Sequence, residues 1–471
     1  MNSDLLHRAA LLAAAMALAG CASWTPADNP ADARLQLLSR YPELQTLTED
    51  QEAAVAHLLQ QPLTPQTAAQ LMLLNSPRIE MLLAQLGIAN ARRAQAELIT
   101  NPHFAVGALR PEGGGRWQLD LGLSQSLLDL LTRSMRITLA ETTLIQRQLE
   151  LQLALDEALH ELQSAYFAAI AAQETSALQL QQQEAGELAA VLAQQMRSAG
   201  NLPSTRVLHH QLAAQQTMQA VRRARMTADT ARLRLNYLLG LKPEQSFKLP
   251  DRLPDIPQES FAKAELLNTA QARRPDVLLV RRQQELLTRQ RPIITRSRWA
   301  DVAAGIKMER EFDGSINAGP EVEFGVPLFD RGHARLAELN SEAAAAQAQE
   351  THLLQKIEHD ISLALRQLND ARQSHQQALA LREIAREQLQ ETQREVNFML
   401  ASPFDLIELK QQQIRLEVDR IDALQRYWQA RAALALAVGK NLPLAEPASA
   451  SPLPATPHTG HGHHHGEHHH D

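Results

Sequence analysis

The segment Gly200-Asn201-Leu202-Pro203-Ser204 interrupts a long helical pattern. Leu400-Ala401-Ser402-Pro403-Phe404 interrupts another in the same way, with the two prolines 200 positions apart. Outward from this pair, three more marks recur in the same order. Asn75-Ser76-Pro77-Arg78-Ile79 answers Arg273-Arg274-Pro275-Asp276-Val277 at an offset of 198. Leu127-Leu128-Asp129 answers Leu328-Phe329-Asp330 at 201. The glycines of Leu239-Gly240-Leu241-Lys242-Pro243 and Val438-Gly439-Lys440-Asn441-Leu442-Pro443 stand 199 apart. One such match carries no weight, but four in order mark an internal duplication.

Both copies follow one plan. A helix (65–100 and 261–297) leads to two short strands, then to a very long helix (132–199 and 333–400). Beyond the proline turn comes a third helix (205–239 and 404–438). Pro243, Pro250, Pro254 and Pro257 punctuate the join between the copies, where no helix can continue. In the first long helix Leu144, Leu151, Leu155, Leu159, Leu162, Tyr166 and Ile170 keep one apolar stripe at helical spacing. About 65 residues at ~1.5 Å each make a rod on the order of 100 Å. Such a rod cannot fold back on a compact core and needs neighbouring rods.

Composition agrees with this plan. Of 471 residues, 44% are hydrophobic, 4% are aromatic and 19 are glycine, a profile that favours long helices over dinucleotide-binding, P-loop or propeller folds. Lys and Arg total 46 against 53 Asp and Glu, so the net charge of −7 argues against a nucleic-acid partner. The sequence has no nucleophile elbow, phosphate loop, HExxH or CxxC, so no enzyme is expected.

The strands alternate. Trp117, Leu119, Leu121 and Leu123 share one face, and Gln118, Asp120, Gly122 and Ser124 the other. In the second copy Val302, Ala304, Ile306 and Met308 oppose Asp301, Gly305, Lys307 and Glu309; Val322, Phe324 and Val326 oppose Glu321, Glu323 and Gly325. Gly113-Gly114-Gly115 and Asp313-Gly314 supply the hairpin turns. Strands apolar on one side and polar on the other suit a membrane barrel with a wet lumen. Four are too few to close one, and open edges are not tolerated in lipid, so the chain is expected to oligomerise. The acids Asp120, Glu321 and Glu323 then form a candidate lumen ring favouring cations, partly offset by Lys307.

The amino terminus points to export. Arg8, an apolar run from Ala9 to Ala19 and Leu18-Ala19-Gly20-Cys21 make a secretory signal of residues 1–20, too short to remain as a membrane span. Cys21, the sole cysteine, stands where a bacterial lipobox is acylated, and residues 21–64 are read as a lipid-anchored extension. Repeats at 65–241 and 261–440 flank a proline-rich linker at 242–260, and 441–471 form a disordered, His-rich tail. No segment after the signal has the long uncharged apolar run of a transmembrane helix.

From about residue 60 to 440 the chain resembles the TolC-like outer-membrane efflux family. The lipobox, the Asn-Ser-Pro and Arg-Arg-Pro-Asp helix starts, the paired strands and Val326-Pro327-Leu328-Phe329-Asp330-Arg331-Gly332 carry the resemblance. The first copy departs from the pattern: Ser126-Leu127-Leu128-Asp129-Leu130-Leu131 lacks the Pro and Gly. The resemblance implies a mainly α fold with a small β component. Duplicated long-helix hairpins form an α-barrel tunnel, and four strands per chain join those of a homotrimer in one twelve-stranded outer-membrane barrel. It also implies a passive duct that docks on a periplasmic adaptor and a proton-driven inner-membrane pump. The periplasmic mouth would be Gly200, Asn201, Leu202, Pro203 and Ser204 together with Ala401, Ser402 and Pro403. Glu391, Arg394 and Glu395 are candidate gate charges, or otherwise solvated helix surface.

Eight histidines, His458, His461, His463, His464, His465, His468, His469 and His470, crowd the tail. Imidazoles between flexible glycines suit loosely held zinc, nickel, cobalt or copper, although an expression tag would also be His-rich. No resident cofactor is expected elsewhere. The scattered histidines, His375 among them, are expected at solvated helix positions. A His tail on an efflux channel points to heavy-metal cations as cargo, with drugs or small organic molecules as the alternative. A periplasmic adaptor or a metal-scavenging lipoprotein would also carry an anchor. The adaptor should have one hairpin flanked by β domains, and the scavenger would leave the duplicated residues unused.

Overall fold

The computed structural model describes residues 51–296, 302–324, 329 and 332–439. Cys21, the segment Val326–Arg331 apart from Phe329, and the His-rich tail lie outside these residues.

Among the described residues α1 (Gln51–Gln60) precedes the first copy, which comprises α2 (Pro65–Asn75), α3 (Pro77–Glu97), β1 (His103–Leu109), β2 (Gln118–Ser126), α4 (Leu127–Ser198) and α5 (Ser204–Leu239). The second comprises α6 (Lys263–Arg273), α7 (Pro275–Arg296), β3 (Val302–Arg310), β4 (Ile316–Phe324), α8 (His333–Asn397) and α9 (Pro403–Val438). At 72 and 65 residues, α4 and α8 are rods of roughly 100 Å. No helix among the described residues is long and apolar enough to cross a membrane.

Two expectations are corrected. The first helix of each copy is split, at Ser76 and at Arg274, because the following proline drives the preceding residue out of the helical region. The first strand-to-helix turn needs no loop. β2 runs straight into α4, and the Ser126 hydroxyl caps the new helix by accepting from the Asp129 N–H at 3.2 Å.

The helix breaks serve a matching purpose in both copies. Each last helix ends on a left-handed glycine, Gly240 (φ 72°) or Gly439 (φ 67°), which seats against the break in the first helix of its own copy. Asn75 Nδ2 donates to the Gly240 carbonyl at 2.7 Å, and an Arg274 guanidinium nitrogen donates to the Ala437 carbonyl at 2.8 Å. Both satisfy carbonyls orphaned at a helix C-terminus.

The main core lies at this level, where α2, α4, α5, α8 and α9 meet the linker. The stripe on α4 is buried from Leu151 through Leu155, Leu159, Leu162 and Tyr166 to Ile170. Phe167 stacks on Trp428 at 4.9 Å, and the Trp428 indole N–H donates to the Pro254 carbonyl at 2.9 Å. The Tyr166 hydroxyl donates to the Leu63 carbonyl at 2.7 Å.

Two carboxylates fasten the linker region to the helices. Glu259 accepts from the Tyr427 hydroxyl at 2.6 Å and from Arg431 at 2.7 and 3.1 Å. Burial alone would raise its pKa, but the hydrogen bonds from Arg431 and Tyr427 outweigh it and hold the carboxyl below the usual range. Burial, reinforced by the same contact, pushes the Tyr427 phenol up to about 12. Glu174 on α4 accepts from Arg420 at 3.0 Å and from the Leu253 N–H at 3.3 Å. Here burial outweighs the arginine, and the carboxyl titrates above its ordinary value.

His375 corrects the expectation of solvated histidines. It lies on the side of α8 that meets α9 and the linker and is buried; burial, with Arg420 nearby, holds its imidazole below the usual value.

A Cβ at Gly240 would lie 2.2 Å from the Asn75 carbonyl oxygen. Gly240→Ala is therefore expected to cost about 2 kcal/mol or more, from left-handed strain and collision together. Thermal unfolding reads this as a lower midpoint; an unchanged midpoint would show that the junction is not held this tightly.

Candidate functional site

The strands form one antiparallel sheet in the order β1-β2-β3-β4, so that pairing of β2 with β3 joins the two copies. Residues directly opposite in such a ladder project to the same face. Val106 pairs with Leu121 and Leu121 with Met308; Phe104 pairs with Leu123, Leu123 with Ile306, and Val302 with Phe324. The result is one continuous apolar face, and Phe104, Val106, Ile306, Val322 and Phe324 are each at least 60% exposed. An isolated soluble sheet would not leave such a surface uncovered. The opposite face carries Asp120, Lys307, Glu309, Glu321 and Glu323.

The three acids expected in a lumen ring share that face but not one level. Asp120 pairs with Glu309, whereas Glu321 pairs with Gly305, four residues along β3, or about 13 Å. Glu323 lies two residues further, against Ala303. The acid beside Asp120 is therefore Glu309, which accepts from the Gln118 amide and lies 3.9 Å from Lys307. Gly107 leaves room for Asp120, since a Cβ there would lie 3.3 Å from the Asp120 Cβ. Glu309 was visible in the alternation, but its level depends on a register between strands distant in sequence.

At the far end of the long helices the two turns differ. In the first, α4 closes through Gly200 (φ 80°), with the Asn201 N–H donating to the Met196 carbonyl at 2.8 Å. Pro203 is the residue before α5, which starts at Ser204. In the second turn Met399 takes the left-handed role (φ 61°), and the Leu400 N–H donates to the Glu395 carbonyl at 2.8 Å. This turn has one more residue before its proline, so Ser402 caps α9 and Pro403 becomes its first residue. Ser402 and Asp405 form a reciprocal capping box, with the Ser402 N–H donating to Asp405 at 2.9 Å.

Phe398, Met399 and Leu400 are 77%, 93% and 79% exposed, an apolar tip that attention to the prolines alone had missed. Its signal was three large apolar residues immediately before the turn. The turns are linked by His210 on α5, whose ring stacks on Phe404 of α9 at 4.4 Å. Burial, with His209 and Arg206 nearby, holds the His210 imidazole below its usual value. Glu391 and Arg394 pair with each other at 2.7 Å on the exposed face of α8, and Glu395 is exposed beside them. Among the described residues no group of three or more His, Cys, Asp and Glu could hold a metal ion.

No protein-family model matches the chain, and no curated protein matches it. Solved structures match by shape. The outer-membrane channel OprN aligns with a TM-score of 0.65 at 18% identity, over 80% of this chain and 90% of OprN. CusC, described in terms of folding and transmembrane channel formation, gives 0.63 at 12% identity, over 80% of this chain and 92% of its own. The outer membrane protein VceC of Vibrio cholerae gives 0.62 at 17% identity, over 82% and 96%. The chain shares the TolC-like fold of these proteins, with paired long-helix hairpins joined to one four-stranded antiparallel sheet.

Met399 holds a conformation that side chains with a Cβ rarely adopt. Met399→Gly should stabilise the chain by ~0.5–1 kcal/mol, because relief of left-handed strain exceeds the added unfolded-chain entropy. Chemical denaturation checks this; a destabilised variant would show that the Met399 side chain contributes packing of its own.

Proposed function

We propose that this chain is the subunit of an outer-membrane efflux channel, a passive duct from periplasm to exterior. The observation that carries the reading is a four-stranded sheet that is open at β1 and β4, apolar on one face and polar on the other, and built directly onto α4. Open edges and an apolar outer face are stable in lipid only when further strands close the wall. Three copies would supply twelve. The polar face then lines the pore, and the long helices continue it through the periplasm as a tunnel. The similarity to OprN, CusC and VceC supports the same architecture.

The finer parts of the reading follow from position and sequence. The turns at Gly200–Ser204 and Ala401–Pro403 lie at the end remote from the barrel, where a periplasmic adaptor would dock and an inner-membrane pump would drive transport. Glu391, Arg394 and Glu395 would line the approach to that mouth. Cys21 would carry acyl chains that hold the first residue of the mature chain at the membrane. Heavy-metal cations are the favoured cargo, supported by the carboxylates on the polar face and by the histidines of the tail.

Planar bilayers test the channel. The full chain should give discrete, cation-preferring conductance, and absence of conductance from the inserted trimer would refute the reading. Asp120→Asn, Glu321→Gln and Glu323→Gln together should lower the cation-to-anion permeability ratio severalfold; an unchanged ratio would remove these acids from selectivity. For the cargo, deletion of residues 441–471 should reduce cellular tolerance of zinc, nickel, cobalt or copper at unchanged channel abundance. Unchanged tolerance of all four would dissociate the tail from transport.

A further inference from the structure

The apolar face of the sheet changes character at one end. Within the strands its single charge among the described residues is Arg310, which pairs across to Leu119 on one side and Ile316 on the other. Just beyond β1, Arg110 lies over the ring of Trp117, with its guanidinium carbon 5.7 Å from the ring centre. Continuing the β2–β3 register past Leu119 and Arg310 sets Trp117 opposite Phe312, and both rings are exposed. The hairpin end of this face thus carries two arginines and two aromatic rings, while its other end carries Phe104, Val302 and Phe324.

Neither Arg110 nor Arg310 forms an ion pair among the described residues. The nearby acids are otherwise placed. Glu311 falls on the parity of the polar face, and Asp313 accepts from the Ser315 N–H and hydroxyl at 2.8 and 2.6 Å. Arg116 donates to the Asp313 carbonyl at 3.2 Å and ties the two hairpins together. Glu112 lies in the turn beyond Arg110.

Depth matches this chemistry to a membrane boundary. The nine residues of β3, tilted as barrel strands are, rise about 20–25 Å, the height of the apolar band on an outer-membrane barrel. Arg310 ends that band, and the hairpins lie opposite the long helices, on the exterior side of the proposed channel. Guanidinium groups there meet lipid phosphates in forked geometry, and aromatic rings favour the same interface. Arg110 and Arg310 project from strands two apart, about 10 Å, with Trp117 between them. That separation suits a headgroup bearing two phosphates better than one bearing a single phosphate.

We infer that Arg110, Trp117 and Arg310 form a site on the outer wall for a bis-phosphorylated glycolipid of the outer leaflet, one per subunit. The inference rests on the channel reading above. Its test uses delipidated full-length trimer, bis-phosphorylated lipid A, the same lipid with both phosphates removed, and phosphatidylethanolamine, with bound lipid counted by native mass spectrometry. The phosphorylated lipid should bind about tenfold more tightly than either comparison lipid, as charge-assisted contacts predict. Arg110→Gln with Arg310→Gln should abolish that preference, while Lys410→Gln on α9 leaves it intact. Equal binding of the dephosphorylated lipid, or full preference retained in the double variant, overturns the site. Wild-type conductance measured in the same preparations separates the two readings: a conducting trimer without lipid preference refutes only the site, and a silent one refutes the channel.

Discussion

The pairing of β2 with β3 is the contact on which the arrangement of the sheet depends. It is the join through which the strands of two copies become one sheet, and its register decides which side chains share the apolar face. Gly305 fixes that register closely: a Cβ there would lie 2.5 Å from the Leu123 carbonyl oxygen. A slip of β3 by one residue against β2 would turn Ile306 and Met308 to the polar side and bring Lys307 and Glu309 to the apolar one. The position of α4 follows from this sheet, because α4 starts without a loop from β2. Arg133 on α4 donates to the Glu97 carbonyl at 2.6 Å and closes the end of α3 beside it.

The second fixed level is the core at the linker. Without it the rods would have no common origin. Matching glycine-to-helix-break contacts, Gly240 on Asn75 and Gly439 on Arg274, show the duplication as a physical device. Each copy uses one cap to stop its last helix and to seat it against its own first helix. The linker then passes between the copies and is fastened through Glu259 to Tyr427 and Arg431, and through the Leu253 N–H to Glu174. Partly buried carboxylates of this kind are tolerable because arginine or backbone donors surround them.

Much of this was legible in the chain because its signals are local. Proline and glycine marks repeated at constant offset revealed the duplication, the stripe from Leu151 to Ile170 revealed the buried side of α4, and strict alternation revealed both faces of the sheet. The splits at Ser76 and Arg274 follow from the prolines that were already the duplication's markers. What could not be read depended on contacts between distant segments. The neighbour of Asp120 is set by a register linking residues almost two hundred positions apart, and the burial of His375 is set by packing among α8, α9 and the linker. Met399 is different again: nothing in its identity announces a left-handed conformation, which glycine supplies in the other copy.

The extra residue in the second turn has a consequence for symmetry. A threefold assembly of this chain would present six hairpin ends, but of two kinds in alternation, one small and polar at Gly200-Asn201, the other bulky and apolar at Phe398-Met399-Leu400. A ring of six identical partner subunits meeting that rim could not occupy six equivalent environments. Either its members would adopt two alternating poses, or they would associate in pairs, each pair treated as one unit by the threefold axis. The mismatch is written into the different residues of the two turns and would be passed to whatever binds there.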